Sequence, residues 1–483
     1  MSSFRFTNLT RQIEIGANCY LLEIAGRRIV LDCGAHPKAE GRESLPLLEH
    51  LSNTELDAVI LTHAHQDHLG SLPVLMKAHP KVNAFMTEPT RQLADAMLHN
   101  SVNVMMKRQE SGEGQTPLFT HKDATACARR FQSLPTGKRF SLNGDRLGYD
   151  EATDVSLQLE DAGHILGSSA VLLEAEGRRI LYTGDVNFLD QTLMQGARLP
   201  DKNIDTVIVE CTRGATPQPE GFTREQEELR FAEAIRKVFA QGGSVLVPVF
   251  ALGKSQELLT MIHKLRQKQL LPHCPIYIGG FSGREINNLP IRPGRIYALS
   301  SGMMTENTLS NVIVSQFLPN PAHGIFFVGY ADPESPAGRL RSATHGEPIQ
   351  LGASAPSEVL RCKVDTFGFS AHSDRDSIAA YLEHTAPRHI IFVHGEPQAQ
   401  EWFRQTLQPR LPETQMHFKR ERCFSLRRVA VRYVGSPPPP GANAVHDPTR
   451  SQKNRIPHYE NPPIPPHICR TSRIFFRGIL CPR

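Results

Sequence analysis

Leu61-Thr62-His63-Ala64-His65-Gln66-Asp67-His68-Leu69-Gly70 sets three imidazoles and a carboxylate within six residues, directly behind the apolar run Leu56-Asp57-Ala58-Val59-Ile60. Residues two apart on an extended segment point to one side, so His63 and His65 can share a metal ion. Asp67 and His68, at the turn into Pro73-Val74-Leu75-Met76, can reach a second one. The plain alternative is a His-rich surface loop. Ordered ligand spacing across a cluster favours the metal, where a lone histidine would not.

Around that loop, 483 residues are enough for roughly two to four domains with a large core. No stretch has the long uncharged apolar run of a membrane helix, and Met1-Ser2-Ser3-Phe4-Arg5-Phe6 lacks the apolar centre of a signal peptide, which leads us to expect a cytoplasmic protein without a membrane partner. Nine cysteines (19, 33, 127, 211, 274, 362, 423, 469 and 481) are scattered and never spaced Cys-x-x-Cys, so reduced, mostly buried thiols are expected rather than a disulfide framework or zinc ribbon. The net charge of +5 has a local origin: residues 436–483 carry seven Lys/Arg against Asp447 and Glu460. The remaining chain is balanced, so overall charge gives no argument for a polyanionic substrate.

Residues 11–33 read as β-structure: Gln12-Ile13-Glu14-Ile15-Gly16, Cys19-Tyr20-Leu21-Leu22-Glu23-Ile24, a turn at Gly26, then Arg28-Ile29-Val30-Leu31-Asp32. Asp32 ends a strand of buried character. It either orients the metal loop from behind or is a turn Asp before Gly34. Residues 82–98 alternate strand and helix, and 99–140 are polar and helical with a break at Gly112-Glu113-Gly114. Val155-Ser156-Leu157-Gln158-Leu159 resumes β-structure into Asp161-Ala162-Gly163-His164, and Arg179-Ile180-Leu181-Tyr182 leads to Thr183-Gly184-Asp185. From Asp205 strands and helices alternate. Thr206-Val207-Ile208-Val209-Glu210 is followed by a helix opened by Thr223 and Gln226, then by Ser244-Val245-Leu246-Val247-Pro248-Val249-Phe250, a helix through Gln256-Glu257-Leu258-Leu259, and strands at 275–278 and 324–330. That rhythm predicts a small α/β unit with a largely parallel sheet. No Gly-rich nucleotide loop accompanies it.

The His-x-His-x-Asp-His pattern resembles the signature of the metallo-β-lactamase superfamily. Five later landmarks resemble, in order, those of its β-CASP nucleases: Glu210-Cys211-Thr212-Arg213-Gly214, then residues 248–257 from Pro248 to Glu257, Ser300-Ser301-Gly302-Met303, Phe369-Ser370-Ala371-His372-Ser373-Asp374 and Val393-His394-Gly395-Glu396. The resemblance spans about residues 10–432. It implies an α/β fold, a metallo-β-lactamase αββα sandwich with an inserted α/β β-CASP domain. The divisions expected are 1–205 and 361–434 for the sandwich, 206–360 for the insert and 435–483 for a Pro/Arg-rich disordered tail.

It also implies two Zn²⁺ per chain, with Mn²⁺ as a substitute: His63, His65 and His164 on one, Asp67, His68 and His394 on the other, and Asp185 bridging. Asp67, Glu210 and His372 would be catalytic. Lys254, where the family commonly has Arg, and Ser370 would contact substrate. For His372 the resemblance implies proton donation to the departing oxygen, while its local setting is also that of a helix start. The function implied is zinc-dependent hydrolysis of RNA phosphodiester bonds in RNA processing or decay, endonucleolytic, 5′-exonucleolytic or both. RNA is the expected partner, and a homodimer is left open. His394 goes with RNA-acting members, whereas DNA-acting ones tend to carry Val. Competing readings are a DNA nuclease of the same family, a small-molecule metallo-hydrolase, for which the insert has no purpose, and an inactive scaffold, which should lack ligands that this chain has.

Overall fold

The computed structural model describes residues 4–11, 15–112, 114–148, 151–279, 291–306, 308–352, 357–418, 424–425 and 429–433. Gln12-Ile13-Glu14, Glu113 of the Gly-rich break, Cys423 and the 435–483 tail, with Cys469 and Cys481, lie outside the described residues.

The apolar alternation of the early strands builds two stacked sheets. In the first, Phe4–Asn8, Tyr20–Ile24, Arg27–Leu31, Ala58–Ile60, Ala84–Met86 and Phe131–Ser133 lie in that order, Val429–Tyr433 pairs in parallel with Phe4–Asn8, and Phe424–Ser425 lies beyond it at the edge. The second runs Gln415–His417, His389–Val393, Thr206–Glu210, Arg178–Tyr182, Ser169–Ala175, Ser156–Asp161, Arg139–Ser141. Successive side chains on a strand face opposite ways, so one set fills the space between sheets and the other meets helices. Ile29, Ile60, Tyr20 and Phe6 meet Leu157, Val171, Ile180, Ile208 and Ile391 inside the sandwich. Val30, Val59 and Ala84 turn outward onto the helices Leu72–Ala78 and Glu88–Glu110, and Val207, Ile390 and Phe392 onto Arg375–Thr385 and Pro397–Leu407. Each such side chain fully removed from water contributes roughly 1.5–3 kcal/mol. Helix, sheet, sheet, helix is the layering that was expected.

A third sheet stands apart from these two, with all five strands parallel: Ile276–Gly279, Ile296–Leu299, Val245–Pro248, Gly324–Phe327, Lys363–Thr366. Arg224–Ala240 and Lys254–Gln267 cover one face, and Leu309–Phe317 with Pro336–Ser342 the other. Thr223 accepts the Gln226 N–H at 3.2 Å and starts the first of these helices where the capping residues placed it. Two details differ from expectation. Thr206–Glu210, assigned to the insert, pairs with Arg178–Tyr182 and His389–Val393 in the second sheet. Lys363–Thr366, assigned beyond the insert, is the edge strand of its sheet. In addition, Phe131–Ser133 and Arg139–Ser141, within the stretch expected to be helical, are strands.

Candidate metal centre

Strand ends and their turns carry every candidate ligand. His63 and His65 lie on the extended segment after Ala58–Ile60, and His65 caps the one-turn helix Gln66–Leu69 that holds Asp67 and His68. That turn is pinned from behind, because Asn18 N–H donates to the Asp67 carbonyl (2.9 Å) and Cys33 N–H to that of His68 (2.8 Å). Gly34 is needed for this approach, since a Cβ there would lie 1.7 Å from the Asp67 carbonyl oxygen. His164 sits in a turn whose N–H groups at 164 and 165 both donate to Ser168 Oγ.

The nitrogens converge. His65 Nδ1 is 3.1 Å from His63 Nε2 and 3.1 Å from His164 Nε2, and Asp185 Oδ2 is 3.6 and 3.5 Å from the latter two. On the other side His394 Nε2 is 3.2 Å from Asp67 Oδ2, while Asp185 Oδ1 is 3.2 Å from His68 Nε2 and 3.1 Å from His394 Nδ1. Asp185 thus turns one oxygen to each group. Within each of the sets His63/His65/His164/Asp185 and Asp67/His68/His394 the ligand atoms lie within 4.8 Å of one another, and Asp185, Glu210 and His394 make a third such set.

These residues fit metal ions. A tetrahedral site with zinc–nitrogen bonds of about 2.0–2.1 Å needs nitrogens about 3.3 Å apart, close to those found. Burial drives the pKa of His63 and His164 well below the ordinary imidazole value and lowers that of His65, which leaves neutral rings with lone pairs facing one another. At His68 and His394 burial also disfavours the charge, but Asp185 and its neighbouring carboxylates outweigh it. They hold His68 well above its usual value and His394 at about 10, so positive charge is favoured at that spot. Asp185 Oδ1 is fully buried between the His68 and His394 rings, and among the described residues no donor meets it with full hydrogen-bond geometry, which suits a cation there.

The supporting contacts orient the rings. His63 Nδ1 meets Thr62 Oγ1 (3.0 Å), His164 Nδ1 the Ala371 carbonyl (2.9 Å) and His68 Nδ1 Asp32 Oδ2 (2.8 Å). Asp32, wholly buried at φ +57°, also accepts from Thr62 N–H (2.7 Å) and from Tyr182 O–H (2.6 Å). Its carboxylate thus touches the metal loop through Thr62 and His68, while its left-handed backbone makes the bend before Gly34.

Glu210 is buried, accepts the Val186 N–H (2.8 Å) and holds His372 Nδ1 at 2.9 and 3.1 Å from its two oxygens. The other nitrogen of His372 faces Asp185 Oδ2 at 3.9 Å. Burial opposes charge on this ring, yet Glu210 and Asp185 raise its pKa. Ser370 Oγ accepts the His372 N–H (3.0 Å). Lys254, at the start of Lys254–Gln267, donates to the Phe369 carbonyl and is pushed down to about 7 by burial, so it ties the insert to the His372 segment. The same loop comes over the first histidine group, with His65 Nε2 3.5 Å from the Leu252 carbonyl.

Three contributors escaped the sequence reading. Thr212 Oγ1 is 3.0 Å from His394 Nδ1, and Asn18 Nδ2 lies 3.1 Å from the Asp67 carbonyl and 3.0 Å from His68 Nε2. Tyr182 stood inside an apolar run, where a buried phenol signals that its hydroxyl has a partner. Asn18 and Thr212 had no such signal.

Residues 14–233 match the metallo-beta-lactamase superfamily, and residues 358–416, which include His372 and His394, match the Zn-dependent metallo-hydrolase RNA specificity domain. The chain is 30% identical over 423 residues to Cleavage and polyadenylation specificity factor 73 of Drosophila melanogaster, covering 79% of this chain and 58% of that protein. It is 27% identical over 430 residues to Endoribonuclease ysh1 of Schizosaccharomyces pombe, covering 81% and 54%. With Cleavage and polyadenylation specificity factor subunit 3 of Dictyostelium discoideum it shares 26% over 436 residues, covering 82% and 53%. The chain thus spans a little over half the length of the curated relatives it matches. Among the described residues no helix is long and apolar enough to cross a membrane.

Proposed function

The chain belongs to the metallo-β-lactamase superfamily, in its β-CASP nuclease branch, and on that premise we propose that it is a zinc-dependent ribonuclease hydrolysing RNA phosphodiester bonds. The observation that carries this reading is the placement of Asp185 between two ligand groups, with the His372–Glu210 pair beside it. Two ions held there would lower the pKa of a water and polarise a phosphoryl oxygen, the chemistry that in-line attack on phosphorus requires.

The chain's own side chains do the rest. Asp67 engages His394 through Oδ2, which leaves Oδ1 to accept a hydrogen bond from the attacking water. His372, with Nδ1 held by Glu210, presents Nε2 to the centre and gives its proton to the departing oxygen. The inserted α/β unit borders the centre through the 252–254 loop over His65 and the Lys254 tether.

The test is direct. Purified protein with zinc or manganese is incubated with end-labelled and internally labelled RNA and DNA of one sequence, and products are resolved on a denaturing gel. Metal-dependent RNA fragments are expected, and their lengths distinguish internal from 5′-terminal cleavage. Intact RNA beside hydrolysed small esters or lactams would reject the reading.

A further inference from the structure

Two guanidiniums border the turn that follows Glu210, and among the described residues neither has a carboxylate within ion-pair distance. Arg213 reaches the His372 carbonyl with Nη1 (3.5 Å) and Gln218 Oε1 with Nη2 (3.2 Å). Arg375 reaches the Gly214 carbonyl with Nη1 (3.4 Å) and stacks over Trp402 with its central carbon 4.4 Å from the ring centroid, while its buried Nε has no hydrogen-bond partner among the described residues. A guanidinium offers five donors, so most of this capacity is unspent. Both side chains are half-buried, and a cation so placed without an anion is costly. Other half-buried arginines spend their donors more fully: Arg224 binds Glu257 and Glu228, Arg178 binds Asp205, and Arg130 binds the carbonyls of Met76, His79 and Val82.

The surroundings are rigid and lie next to the chemistry. A Cβ on Gly214 would meet Ala399 at 2.8 Å, so the turn is pressed against Pro397–Leu407 and cannot relax toward its arginines. Arg213 touches the backbone of the residue whose ring tip faces Asp185, and Lys254 holds the same segment three residues earlier, at Phe369. We infer that Arg213, supported by Arg375, binds the internucleotide phosphate adjacent to the one being cleaved, and so sets how the RNA strand enters the centre. This rests on the ribonuclease reading and extends it. Burial of Arg213, only partly offset by the more distant Asp374 and Glu210, lowers its pKa, as expected for a charge that lacks its partner. The fork geometry of arginine suits a phosphate bidentately.

The experiment compares the unsubstituted chain with Arg213→Gln, Arg213→Lys and Arg375→Gln on short RNAs that carry one neutral methylphosphonate linkage, one step to either side of the cleaved bond. On ordinary RNA, Arg213→Gln should raise KM about tenfold with kcat little changed, in the range of one hydrogen-bonded charge contact. It should also flatten the dependence of log(kcat/KM) on log salt by about one unit. Arg213→Lys should keep the salt slope and lose part of the affinity, and Arg375→Gln should shift both in the same direction as Arg213→Gln by less. At one of the two positions the neutral linkage should weaken the unsubstituted chain while leaving Arg213→Gln unaffected, the signature of a shared contact. Additive losses at both positions, in proteins of equal melting temperature, overturn the subsite while leaving the ribonuclease reading intact. Failure of the unsubstituted chain to cleave RNA overturns both.

Discussion

Asp185 is the residue on which the two ligand groups depend, because its oxygens face opposite sets of imidazoles from a position 2% exposed to solvent. Two ions per chain are therefore expected by elemental analysis, and His65→Ala should empty the first site and lower activity by orders of magnitude. Protein that is active with no more than trace metal would reject this. At His372 the two nitrogens have separate partners, Glu210 and the metal side. His372→Ala should keep both metals and lose roughly 10²–10⁴ in rate on RNA, the range of general acid catalysis. It should lose far less on bis-p-nitrophenyl phosphate, whose leaving group needs no proton. Glu210→Gln should follow His372→Ala on both substrates, and an equal loss on the two would point to phosphate binding instead.

At the scale of elements, the segment after Asp185 joins the centre to the insert. Ser373 Oγ accepts the Phe188 N–H, Gln191 donates to the Gly163 and His164 carbonyls, and the Glu257 oxygens accept the N–H groups of Thr192 and Leu193 (2.8 Å each). Glu257 also receives Arg224, itself stacked on Phe369 at 4.4 Å. Glu257→Ala leaves two N–H groups without their acceptor and takes from the half-buried Arg224 one of its two carboxylates, so a cost of roughly 3 kcal/mol is expected, read as a lowered melting temperature together with slower RNA cleavage. An unchanged melting temperature would refute it. On the far edge of the second sheet, His417 and His389 are buried and stacked with ring centroids 5.7 Å apart, and burial holds His417 at about 4 and lowers His389. Their folded values lie below the unfolded value near 6.5, so the unfolded chain takes up protons first. Stability is then full above pH 6.5 and falls as pH drops toward 4, by on the order of 2–3 kcal/mol for His417. Melting curves across that window should show the loss, and His417→Phe should flatten it.

At the scale of the whole molecule, sandwich and insert both border the centre, since the Leu252 carbonyl lies over His65 and Lys254 holds the Phe369 carbonyl. His394 joins the ligand groups from the stretch that matches an RNA specificity domain. RNA should therefore be cleaved faster than single-stranded DNA of the same sequence, compared as kcat/KM. Equal or faster DNA cleavage would move the assignment to the DNA branch of the family.

What the sequence determined by itself was local: the ligand spacing of residues 63–68, the strand-end positions of His164 and Asp185, and the runs that became strands and helices. These follow from short-range periodicity, which side chains two or four residues apart express without reference to the rest of the chain. Only the tertiary structure decided which strands pair. A run such as Thr206–Glu210 is apolar on both faces and suits either sheet. It entered the second because Ile208 completes the interior between the sheets while Val207 meets the outer helices. Lys363–Thr366 was drawn the other way, to the open edge beside Gly324–Phe327. Asn18, Thr212 and the Arg213–Arg375 pair likewise acquire meaning only by contact. Each is a common residue type whose partner lies tens to hundreds of positions away along the chain, and a hydrogen bond or a missing counter-ion across that separation leaves no periodic trace in the sequence.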